Sequence, residues 1–220
     1  MVPQTPAGAV LAPALTAELS AAFEGALAAA GGEIKVLAVF ARAGRTLAAS
    51  EFELTSTKQA ELAELGYRTE ARAKRAELAR VFLLVEACAA LPSAQHAALL
   101  TRCYRTSDNE ERAALLRALP LLPEPERFLS IATDACRTHV LGVFEAIACD
   151  NPYPARYFDQ ASFNQLVVKA LFVGAPLARV EGLHARDNPE LTRMVRDYVS
   201  ERRAAGRAIP PDVTLVINDP

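Results

Sequence analysis

Apolar residues recur along this chain at helical intervals, broken at short distances by Pro, Gly, Ser and Asp. Leu15, Leu19, Phe23, Leu27 and Ala30 mark one face of a first helix, which Gly31-Gly32 stops. A second helix is predicted from about Ile34 to Leu47. Ser50 to Thr57 reads as a β-tolerant connector, and a short helix over Lys58–Leu65 ends at Gly66. The longest predicted helix runs from Glu70 to about Leu91. Its first half is amphipathic and its second half, VFLLVEACAAL, is apolar all round, so it passes from surface to centre.

Pro92 ends that helix, and Ser93 is the expected N-cap of the next, Ala94–Tyr104. Ser107 to Glu111 caps a helix to Leu119, Pro120 to Pro125 makes a turn, and Glu126 to Cys136 is helical again. Helices of about 11 residues alternating with turns of about five describe stacked helix pairs. The expected fold is all-α, a HEAT-like α-solenoid of helix pairs in a single domain. Residues 1–10 are expected as a loose tail, residues 11–206 as the helical body, and residues 207–220 as an extended tail after Gly206 and Pro210-Pro211.

The segment from Arg137 to Val180 holds the candidate chemistry. Two helical patterns, Thr138–Cys149 and Phe163–Gly174, flank an Asn151-Pro152-Tyr153-Pro154 corner, with Asp159 or Ser162 capping the second. Each proline disfavours the helical region for the residue before it, so Asn151 and Tyr153 are expected to be extended. Asn164, Gln165 and Lys169 interrupt an otherwise apolar helix, and polar groups there need partners. Gln165 and Lys169 share a face. Glu145 is the expected carboxylate for Lys169, with Asp150 and Asp159 in reserve. Arg137, Leu141 and Glu145 fall on one helical face, so Arg137 also serves Glu145. Tyr153, Tyr157, Phe158 and Phe163 surround the corner, either as packing or as the wall of a binding surface. The polar cluster reads first as a buried network fixing helix register, and second as the lining of a pocket. His139, His96 and His184 have no second ligand at metal-binding spacing, so no metal and no cofactor are expected. A short helix about Leu177–His184 and a last one from Pro189 to Ala205, capped by Asn188, complete the pattern.

Charge and cysteines narrow the setting. The net charge is −2, from 24 basic and 26 acidic residues, so no global field draws nucleic acid. Local basic groups such as Arg202-Arg203 and Arg72-Lys74-Arg75 lie beside Glu at helical spacing and read as solvated ion pairs. Cys88, Cys103, Cys136 and Cys149 sit far apart in apolar runs, as reduced core thiols in a cytoplasmic protein do. The first residues make a poor signal peptide, and no apolar run is long enough to span a membrane. Nucleotide-binding glycine loops, GxSxG and HExxH are absent.

The stretch FEAIACDNPYPARYFDQASFNQLVVKALFVGAPLARVEGL resembles the C-terminal half of the EboA family, most strongly over residues 137–206. Phe163 stands where many relatives carry Trp. The resemblance implies a cytoplasmic, non-enzymatic helical protein in metabolite traffic or export of a secondary-metabolite precursor. It also implies partners encoded by neighbouring pathway genes, a membrane prenyltransferase-like protein among them. It carries no catalytic residues across. The first expectation is therefore an adaptor or carrier that binds a partner protein or small metabolite near the corner, through Asn151, Tyr153, Tyr157, Phe163, Asn164, Gln165 and Lys169, with Glu145, Arg137 and His139 beside them. The alternatives are a pathway enzyme using Glu145, His139 or Lys169 in acid–base chemistry, and a pure assembly scaffold.

Overall fold

A computed structural model describes residues 3–29, 32–47 and 50–217. Gly31 of the expected helix stop, residues 1–2 of the expected first tail and residues 218–220 of the last lie outside the described residues. The all-helical class expected from the periodicity is the class observed. The chain divides into two compact units, Met1–Ile131 and Ala132–Pro220.

In the first unit, the segment expected as a loose tail is helical from Pro6. Helix α1 (Pro6–Leu11) has Thr5 as its N-cap, and Ala7, Gly8, Val10 and Leu11 are buried. A charged group on the middle of the unit explains this order. The buried carboxylate of Glu86 accepts from the backbone N–H of Gln4 at 2.7 Å and of Thr5 at 3.0 Å, and from the Thr5 hydroxyl at 2.6 Å. These bonds compensate a buried charge that would otherwise be costly.

Helices α2 (Ala17–Ala28) and α3 (Gly32–Leu47) pack on each other. Strand β1 (Glu51–Glu53) follows, then α4 (Ser56–Leu65), which ends on Gly66 in the left-handed region at φ 102°. Strand β2 (Arg72–Lys74) pairs antiparallel with β1, Phe52 opposite Ala73. The helix expected from Glu70 therefore starts only at Arg75. The basic residues there do not pair along a helix: Arg72 lies 3.4 Å from both Glu51 and Glu53 across the strands, Lys74 pairs with Glu110, and Arg75 donates to the carbonyls of Ala14 and Leu15.

Helix α5 (Arg75–Ala90) is buried almost all round from Ala76 to Cys88 and is contacted by α1, α2, α3 and by α7 (Asn109–Ala118). Helix α6 (Ser93–Thr106) comes between them in the chain, with Pro92 rather than Ser93 at its cap. Asp108 and Glu111 form the capping box that starts α7. Helices here surround α5 instead of following one another in a serial stack. A continuous apolar surface has to be covered on every side, and a hub does that.

Helix α8 (Leu129–Ala135) is preceded by a 3₁₀ turn, Pro125–Phe128, which together replace the single helix expected over Glu126–Cys136. The second unit contains α9 (Leu141–Ala148), α10 (Tyr153–Tyr157), α11 (Gln160–Val173) and α12 (Pro189–Ala204). Leu177–Arg179 is a single 3₁₀ turn rather than a helix to His184. The segment after Gly206 is not extended throughout: Pro211–Leu215 forms another 3₁₀ turn, and Val213 and Ile217 are buried. Asp212 within it accepts from the Leu177 N–H at 2.7 Å. Among the described residues, no helix is long and apolar enough to cross a membrane.

Candidate functional site

The corner is built by short-range geometry. Asp150 adopts φ +51°, its N–H donates to the Arg179 carbonyl at 2.7 Å, and its carboxylate pairs with the Arg179 guanidinium at 2.5 Å. Reversing the chain there turns Asn151 inward, where it is buried. The Asn151 amide donates to the Ala146 carbonyl at 2.9 Å, near the end of α9, and its oxygen accepts from the Tyr153 N–H at 3.0 Å. Asn151 thus ties the end of one helix to the start of the next.

Tyr153 is not extended, as the proline after it led us to expect, but is the first residue of α10. The reason is positional. Pro154 lies in the first turn, where its missing N–H has no intrahelical partner to lose. The Asn151 side chain satisfies the N–H of Tyr153, and the Tyr153 ring is 0% exposed, tilted by 44° against Tyr157 at 4.8 Å and edge-on to Phe158 at 6.3 Å. Burial of that ring offsets the pre-proline restriction. Tyr153 is core, Tyr157 is half-buried and Phe158 is core.

The polar residues of α11 diverge. Phe163 is fully buried under the guanidinium of Arg186, 4.5 Å from its ring. Arg186 also donates to the carbonyls of Pro154, Ala155 and Phe158 at 3.1, 3.3 and 2.9 Å, closing the open end of α10. Asn164 is buried and receives the Gln160 amide at 2.9 Å; it exchanges two further bonds with Asn188, the N-cap of α12. Gln165 is exposed.

Lys169 lies half-buried on a different side. Its ammonium donates to the carbonyls of Cys136 at 2.5 Å and Thr138 at 2.6 Å, and sits 5.1 Å from the Phe144 ring centroid. The amine is turned inward, as the sequence suggests, but it meets carbonyl oxygens and not Glu145. The helical phase of α11 points position 169 at the turn after α8. Glu145 is half-buried and acts electrostatically on Arg179, to which Asp150 is hydrogen-bonded, and Asp159 accepts from the Ser162 N–H as N-cap of α11. None of the three carboxylates considered for Lys169 is its partner.

Arg137 and His139 also fall elsewhere than expected. Helix α9 begins at Leu141, with Val140 as its N-cap, so Arg137 and His139 are exposed on the preceding turn and share no helical face with Glu145. The structure gathers Asn164 with Gln160 and Asn188, ties Asn151 to Tyr153, and sets Lys169 apart from both groups. It also identifies two residues that periodicity passed over, Arg186 and Arg179, whose side chains reach residues about 30 positions earlier in the chain. Arg186 lies next to the recognisable Asp187-Asn188-Pro189 helix start, but nothing local signals its reach back to α10.

A shallow groove of about 480 Å³ runs along α6 in the first unit, lined by Ala97, Ala98, Thr101 and Arg102 among others, and includes none of the candidate residues. Compared with known families, residues 24–218 match the model described as "Metabolite traffic protein EboA". The chain belongs to the EboA family. The match takes in the first unit as well as the second, well beyond residues 137–206, where the motif resemblance was strongest. Neither the curated proteins nor the solved structures provide a match.

Proposed function

We propose that this EboA-family chain serves metabolite traffic in the cytoplasm without catalysing a reaction, as an adaptor that holds another protein of its own pathway. One observation carries the reading: among the described residues, the three groups considered for acid–base work make no hydrogen bond or ion pair with one another. Lys169 is held by two carbonyls, Glu145 lies in the field of Arg179, and His139 is on an exposed turn. General acid–base catalysis needs such groups within reach of one reacting atom. The docking surface proposed is the accessible flank beside the corner, with exposed Gln165 and half-buried Tyr157. Asn151, Tyr153, Phe163 and Asn164 serve this surface from below, as the packing that fixes its shape.

The test is co-expression with the proteins of the neighbouring pathway genes, each carrying its own tag. The expected result is co-purification of one of them, lost in Gln165→Arg or Tyr157→Ala while melting temperature changes little. Turnover of a pathway intermediate by the purified chain, abolished by Glu145→Gln or His139→Ala, would overturn the reading in favour of an enzyme.

A further inference from the structure

Three helix ends, the start of α9 and the ends of α11 and α12, converge on one side of the second unit. Asn164 pairs with Asn188 near the start of α11 and at the cap of α12, whereas Phe172 meets Tyr198 further along both helices, ring centroids 6.5 Å apart. The Tyr198 hydroxyl donates to the Leu171 carbonyl at 3.0 Å. The two helices therefore run parallel and finish on the same side. Lys169, one turn before the end of α11, holds the carbonyl of Thr138, which lies three residues before the start of α9. The turn leading into α9 is thus on that side too.

This end combines two features. Phe172 is 66% exposed, and Val173, Val140 and Leu141 are exposed with it, at the tips of α11 and α9. Cations accompany them. The Cys136 thiol is pushed up to about 12 by burial, against the pull of Lys169 and Arg137, which places both charges beside this turn. Neither Lys169 nor Arg137 has a carboxylate partner among the described residues. At the end of α12, Arg202 lies 5.6 Å from the Tyr198 ring and donates to the Ala208 carbonyl, with Arg203 and Arg207 exposed next to it. Against them stand Glu201 on α12, Asp134 on α8 and Asp212, which accepts from the Leu177 N–H just past α11. A net-acidic chain carries here a local excess of positive charge around protruding apolar tips.

We propose that this end seats on an anionic lipid surface, with Phe172, Val173, Val140 and Leu141 entering the interface and the exposed Arg137 and Arg207 facing the headgroups. Apolar points flanked by cations bind such a surface through buried area plus attraction to anionic lipid. The exposed groups are separate helix tips rather than the walls of a groove, which favours a bilayer over a helical segment of another protein. Attachment is peripheral, and it goes beyond the adaptor reading, since it stands whether or not a pathway protein is held.

The experiment is sedimentation of the full chain with phosphatidylcholine vesicles, with and without phosphatidylglycerol. The chain is expected to pellet with the anionic vesicles and not with the neutral ones, and less so as salt is raised. Arg137→Glu and Arg207→Glu, both on exposed positions, should each weaken binding about fivefold or more, and Phe172→Ser similarly, while Arg156→Glu on α10 leaves it unchanged. Failure to pellet with anionic vesicles overturns the proposal, as does equal binding by Arg137→Glu and Arg207→Glu. If those two variants instead abolish co-purification of a pathway protein and vesicles never bind, the end is a protein interface and the lipid proposal falls.

Discussion

Asn164 and Asn188 face each other as a reciprocal amide pair, each donating its Nδ2 to the other's Oδ1, at 3.1 and 3.0 Å. The same Asn188 oxygen accepts from the Leu191 N–H, so one side chain both caps α12 and docks it on α11. Removing the buried Asn164 breaks three hydrogen bonds at once and leaves the Asn188 and Gln160 amides only their bonds to the Arg186 carbonyl. Asn164→Ala is expected to lower stability by about 1–3 kcal/mol, read as a shift of the urea midpoint with an unchanged slope. A variant as stable as the parent would show that water replaces the pair.

Lys169 acts as a staple between α11 and the turn before α9. Hydrogen bonds from a charged donor are the stronger kind, so Lys169→Met, which keeps the stem and removes the ammonium, is expected to cost about 1–2 kcal/mol, discounted for partial exposure. Hydrogen exchange should quicken over residues 136–140 at the same time. An unchanged melting temperature would instead leave the amine free for the binding role that the sequence suggested.

Gly8 approaches Glu86 so closely that an added Cβ would lie 2.0 Å from the carboxylate oxygen and 2.8 Å from the Thr5 hydroxyl. Gly8→Ala must therefore displace the carboxylate that anchors α1. The expected cost is about 1–3 kcal/mol, with faster proteolysis within the first dozen residues. Equal protease resistance in both proteins would refute the anchoring role of Glu86.

Burial pushes the Cys88 and Cys103 thiols from an ordinary value of 9.0 up to about 12. Between those values the folded chain keeps protons that the unfolded chain releases, so stability is fully present below about pH 9 and falls as pH rises towards 12. The double variant Cys88→Ala, Cys103→Ala should show a shallower decline over that range. Parallel curves for the two proteins would mean that other groups cause it.

Much of the helical layout was legible because it is local. The stops at Gly66 and Gly174, the cap at Asp159 and the Asn188-Pro189 helix start each depend on one or two residues' own conformational preferences. The candidate cluster was only half legible. Gln165 and Lys169 do share a face of α11, but what that face meets depends on how far α9 extends and which turn precedes it. Starting α9 at Leu141 rather than Thr138 moved Arg137 and His139 off the helix and set carbonyls before Lys169. Tyr153 and Phe163 suited core packing first, with a binding wall as the alternative. Arg186, arriving from a later segment over Phe163 and the end of α10, belongs to the packing that makes them core.

By itself the sequence determined the all-helical class, most helix boundaries and, through the NPYP motif and its following helix, the family; all of these are set by neighbours within a few residues. Tertiary structure alone decided that Glu86 orders the N-terminal segment, that α5 is a hub, and that Lys169 answers to carbonyls instead of Glu145. Those outcomes are contests among groups many residues apart for the same buried volume and the same hydrogen bonds, and helical periodicity carries no record of who wins them.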